Sequence, residues 1–172
     1  MLKAKFNILG MLCRVGFAAT LLIFGAAAIG FINSASAQQQ FAAKLSGKNE
    51  VPSVTTPATG IAMFSVSPDG RSLHYVLNVA DITGIMGAHI HAGTSKQNGP
   101  VVAGLFNPSM TGHHTGKVHG LLSKGDITAS NLTGPFHGKE LSDLILLIRT
   151  GSTYVNVHTI QNPKGEIRGQ LY

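Results

Sequence analysis

The chain has 172 residues, a net charge of +6 at pH 7, and hydrophobic side chains at 44% of its positions. Its single cysteine, Cys13, excludes a disulfide framework and removes thiolate metal ligands and cysteine nucleophiles from the working part of the chain. Three of the 13 basic residues, Lys3, Lys5 and Arg14, fall near the start, and no Lys/Arg cluster follows them. The electrostatic footprint of a nucleic-acid binder is therefore missing.

In chain order, Lys3, Lys5 and Arg14 form a positive segment, and Val15 to Ile32 follows with no charge and Thr20 as its one polar residue. Ala35-Ser36-Ala37 closes it with the small-x-small pattern that a signal peptidase accepts. Residues 1–37 are expected to be a signal peptide, with the mature domain at 38–172. The alternative is an N-terminal anchor, because roughly 18 apolar residues nearly span a bilayer; a membrane enters the picture only if this leader is uncleaved. Either route leads to a secreted, periplasmic or cell-surface protein. A domain of this size buries roughly two thirds of its unfolded surface and needs no staple.

Beyond residue 37, short alternating runs punctuated by Gly and Pro recur in the manner of a sandwich or barrel. Phe41, Ala43 and Leu45 mark a first strand and Gly60 to Ser67 a second. Ser67-Pro68-Asp69-Gly70 is a tight-turn signal leading into Arg71 to Ala80, where Leu73, Tyr75, Leu77 and Val79 share a face. Further strands are expected at Gly87 to His91, Pro100 to Phe106, Gly116 to Leu122, Thr153 to Thr159 and Gly165 to Tyr172. Gly93 to Gly99 reads as a solvated loop. In Lys139 to Arg149 the period changes: Leu141, Leu144, Ile145 and Ile148 recur at helical spacing and Gly151 stops the run, predicting one short helix near 139–149.

Two stretches carry a family resemblance. Gly87-Ala88-His89-Ile90-His91-Ala92-Gly93 is the first; Tyr154-Val155-Asn156-Val157-His158-Thr159 with Gly165-Glu166-Ile167-Arg168-Gly169 is the second. The H-I-H-x-G, Y-V-N-V-H-T and G-E-I-R-G segments, in that order, resemble the CHRD domain first described in chordin. Gly169 stands where members such as chordin can carry a Cys. The resemblance spans about Phe41 to Tyr172 and implies an all-β, Greek-key, immunoglobulin-like sandwich, with a limited similarity to copper–zinc superoxide dismutases. It implies no particular reaction.

All eight histidines lie beyond the leader. Residues i and i+2 of a strand share a face, so His89 and His91 project together, opposite Ala88, Ile90 and Ala92. In the late strand Val155 and Val157 take the core face, which turns Tyr154, Asn156 and His158 the other way. Neutral imidazole suits copper, zinc, iron and nickel, and three His ligands with an open position form a catalytic type of site. His89, His91 and His158 are the metal candidates, with His113, His114 and His119 as further ones, while His74 and His137 read as surface residues.

By analogy with the dismutases, which share an H-x-H strand plus a later His, copper is the expected ion and zinc the second choice. Superoxide or another small anion would then be the substrate, with Arg168 drawing it in. The spacing departs from the dismutase pattern, and no zinc subsite with its Asp appears. Glu166 and Arg168 are expected to pair across the sheet, behind His158. A reading from another class is a non-enzymatic module that binds an extracellular protein or polysaccharide and uses its histidines as pH-sensitive contacts.

Overall fold

The computed structural model describes residues 38–111 and 114–172, and for 110, 111, 114 and 115 the backbone alone. The expected leader and His113 lie outside the described residues, as does the side chain of His114. Seven strands make up about half of the described residues: β1 Gln40–Ser46, β2 Thr59–Val66, β3 Leu73–Ala92, β4 Val101–Phe106, β5 His114–Ile127, β6 Thr153–Thr159 and β7 Ile167–Gln170. The one sizeable helix among the described residues is α2, Leu141–Arg149; α1, Pro108–Thr111, is a single turn.

The fold is all-β, and its strands join in one sheet of order β2-β1-β7-β6-β3-β4, with β5 also on β3. A further pairing of β2 with β3 closes β1, β2, β3, β6 and β7 into a barrel-like ring. The layers expected of a sandwich are thus hydrogen-bonded to one another through a shared strand. That strand is β3, whose 20 residues pair with β2 and β5 in the first part and with β4 and β6 in the second.

Sequence periodicity alone suggests two strands where β3 runs, at 71–80 and 87–91. Asp81 and Gly84, which look like turn residues, adopt left-handed backbone (φ 56° and 62°). Each sits where the register with a neighbour shifts, so they bend one continuous strand rather than end it. Bending is what lets a single strand serve both parts of the ring.

Alternation explains the rest. Phe41, Ala43 and Leu45 are buried on β1, and Leu73, Leu77 and Val79 on β3, as the period of two requires. Leu141, Leu144, Ile145 and Ile148 are the buried residues of α2 and join the same core. The helix stops in a Schellman motif: Ser152 N–H donates to Leu147 O (3.1 Å) and Gly151 N–H to Ile148 O (2.9 Å). Gly151 takes the φ of 64° that this ending needs. Among the described residues no helix is long and apolar enough to cross a membrane.

Candidate metal centre

β3 and β6 are antiparallel neighbours, with Gly87 opposite His158, His89 opposite Asn156 and His91 opposite Tyr154. Residues directly opposite share a face, so His89, His91 and His158 all rise from the side turned away from Ala88, Ile90, Val155 and Val157. Gly87 makes room for them. A Cβ there would lie 3.0 Å from His89 Cε1, so any side chain at this position would press on the ring.

The three imidazoles converge. Ring centroids are 5.1 Å apart for His89 and His158, 5.7 Å for His91 and His158, and 5.9 Å for His89 and His91. One ring nitrogen from each lies within 4.8 Å of the other two, the one such group among the described residues. His91 Nδ1–H donates to Gly99 O (2.8 Å) and His158 Nδ1–H to Pro163 O (3.1 Å). These bonds fix the tautomer and leave the Nε2 lone pairs free. His89 Nδ1, His91 Nε2 and His158 Nε2 are all buried without a partner.

Burial costs the charged form, and so it sets the protonation state. Desolvation, followed by the neighbouring His158 and His91, pushes His89 down to about 4. His91 and His158 are also lowered, chiefly by desolvation, against the opposing pull of the carbonyls they donate to. At neutral pH the cluster offers three uncharged nitrogens and no protons to displace. Buried ring nitrogens without a partner are costly by themselves, and a borderline transition-metal cation would relieve those it reaches. With metal–nitrogen bonds of about 2.0–2.1 Å, each ring would need to move by less than about 1 Å. The donor set therefore fits copper or zinc.

The surrounding face is covered rather than open. Tyr154 is 1% exposed and Asn156 2%. Arg168 is also 1% exposed, and its placement differs from the anion-drawing role expected of it. Its guanidinium lies 3.4 Å from the centre of the Tyr154 ring and donates to Thr94 O (2.6 Å), Gln97 O (2.9 Å) and Asn98 Oδ1 (2.7 Å). The segment expected to be a solvated loop, 93–99, is thus fastened by two of its carbonyls and the Asn98 amide, although residues 94–98 are exposed.

Glu166 bonds to other segments of the fold, its carboxylate accepting from Thr56 Oγ1 (2.7 Å) and Thr159 Oγ1 (2.6 Å). His119 is exposed on β5 and stands outside the imidazole group. His114 belongs to β5, its backbone opposite Ile85.

Sequence reasoning missed Glu50. It is buried, accepts from Asn156 Nδ2 (3.2 Å), and is driven up to about 7 by desolvation against the lowering influence of Arg168 and Asn156. Glu50 lies in an irregular polar stretch after β1, where no periodicity announces burial.

Comparison with known proteins finds that a family model, the CHRD domain, fits residues 41–171. No curated protein and no solved structure matches the chain.

Proposed function

We propose that this chain, which belongs to the CHRD domain family, is an extracytoplasmic metal-binding protein that holds one copper-type ion on His89, His91 and His158. One observation carries the reading: a ring nitrogen from each of the three histidines lies within 4.8 Å of the other two, in a cluster where each ring has a buried nitrogen without a hydrogen-bond partner. Copper is preferred because its affinity for nitrogen sites exceeds that of zinc, with zinc the competitor. The residues behind the ligands support it too, since Gly99 O and Pro163 O orient His91 and His158 as backbone carbonyls commonly do around metal-bound histidines.

Copper, when bound, supplies one-electron redox chemistry, and superoxide is the first substrate to test. The chain's own contribution is to hold the imidazoles neutral and aimed, and to limit water at their inner edges. The leader expected at 1–37 supports a position outside the cytoplasm, where disulfide-free domains of this size depend on core packing.

Two measurements test the proposal. Electron paramagnetic resonance of the Cu(II)-loaded protein should show hyperfine coupling to three imidazole nitrogens, reduced by one in His158→Ala. Superoxide decay faster with the loaded wild type than with the loaded variant marks an enzyme; equal decay marks a carrier. Coupling to no protein nitrogen removes the metal reading altogether.

A further inference from the structure

We infer that Arg168 is a positioning residue for the metal centre: by clamping the 93–99 loop it holds the Gly99 carbonyl over His91 and thereby sets which nitrogen of that ring faces the cluster. The inference deepens the three-histidine reading and rests on it for its consequence in metal affinity.

The chain of contacts is continuous. The loop carries no apolar anchor between Thr94 and Asn98, and all five side chains there are exposed. It is held instead by polar groups that the rest of the fold supplies. Arg168 donates to three acceptors on it, from both terminal nitrogens. Asn98, whose Oδ1 takes one of these bonds, also donates to Val51 O (2.6 Å). At the far end, Gly99 N–H donates to the Tyr154 hydroxyl (3.0 Å), and Gly99 O accepts from His91 Nδ1–H. The backbone passes so close that a Cβ on Gly99 would sit 1.7 Å from Ala92 O, which no side chain could survive.

Arginine suits this task and lysine does not. Three acceptors spread over Thr94, Gln97 and Asn98 need a planar donor with a fixed fork, and that plane also lies on the Tyr154 ring. Without the clamp, Gly99 keeps its own bond to the Tyr154 hydroxyl and the neighbouring Ala92 N–H to Pro100 O bond (3.0 Å), but the 94–98 side of the loop is released and Gly99 O can shift over His91. The ring could then turn or change tautomer, and Nε2 would no longer be reserved for a cation. His158 provides a built-in comparison, because it is oriented by Pro163 O, which Arg168 does not touch.

The experiment uses the full chain with Arg168→Met, Arg168→Lys and the milder Asn98→Ala, which removes one acceptor at an exposed position. Three quantities are read: amide hydrogen exchange in 93–99, the imidazole ¹⁵N signatures of His91 and His158 in metal-free protein, and zinc affinity by competition with a chromophoric chelator. The expected result is faster exchange in the loop, a mixed tautomer at His91 with His158 unchanged, and zinc affinity 10–100-fold weaker in Arg168→Met. Arg168→Lys should recover only part of this, and Asn98→Ala should show the same pattern at smaller amplitude.

Unchanged His91 signatures in the variants overturn the inference. So does equal disturbance of His91 and His158, which would make Arg168 a general support of the fold. Should Arg168→Met fail to fold, Asn98→Ala decides by the same criteria. If wild-type protein binds no zinc, the metal reading fails, while the exchange and tautomer data still decide the clamp.

Discussion

The rings of His91 and Tyr154 stack 4.9 Å apart at an interplanar angle of 10°. The stack joins the candidate metal centre to the buried polar layer beneath the loop, because the same tyrosine carries Arg168 on its ring and Gly99 on its hydroxyl. Tyr154→Phe keeps the ring contacts and removes the hydroxyl. It should leave the Gly99 N–H without its acceptor and cost about 1–3 kcal/mol, read from the denaturation midpoint. Metal affinity should fall several-fold as Gly99 O loosens over His91. A variant as stable as wild type would show that the hydroxyl bond contributes nothing.

The imidazoles impose a pH dependence of one sign. His89 is near 6.5 in the unfolded chain and about 4 in the fold, so between these values the unfolded state binds more protons. Its stabilising effect is fully present above pH 6.5 and is lost as pH falls toward 4. Metal-free protein should therefore weaken through that window in urea titrations, and His89→Gln should flatten the trend. A slope that the substitution leaves intact would assign the loss to other groups.

Glu50 imposes the opposite sign. Its carboxyl sits near 4.5 when unfolded and about 7 when folded, so the folded state keeps a proton that the unfolded state gives up. Stability from this group is full below pH 4.5 and declines as pH rises to 7. Glu50 Oε1 and Asn156 Oδ1 are both buried without a partner; Glu50→Gln supplies a neutral side chain that both accepts and donates. The variant should be about 1–3 kcal/mol more stable than wild type at pH 8 and indistinguishable near pH 4. A less stable variant at pH 8 would mean that the ionised form is needed.

Gly165, which opens the G-E-I-R-G segment, has φ 133°, and a Cβ there would meet Asn156 at 2.5 Å and Glu50 Oε1 at 2.7 Å. Both strain and collision oppose any side chain. Gly165→Ala should cost about 2–4 kcal/mol, measured by thermal or chemical unfolding. A cost below about 0.5 kcal/mol would show that Asn156 and Glu50 can give way.

How much could be read from the residues depended on whether side chains or backbone did the work. The strand at 41–45 and the helix with Leu141, Leu144, Ile145 and Ile148 were legible because burial repeats with the period of each element. The shared outward face of His89, His91 and His158 followed from the same period of two. Asp81 and Gly84 misled, since residues that favour left-handed backbone serve bends within a strand as well as turns between strands. The 93–99 loop misled for another reason: its polar side chains are exposed, yet two of its carbonyls and the Asn98 amide are held by Arg168 some 70 residues away. Glu50 gave no signal, because its burial is made by partners far off in the chain.

Three histidine nitrogens sharing one ion is the central claim, and elemental analysis of purified protein tests it most directly. Wild type dialysed against copper or zinc should retain one equivalent per chain, and His91→Ala and His158→Ala should each retain far less while remaining folded. Wild type free of metal after loading, or variants holding as much as wild type, would contradict it.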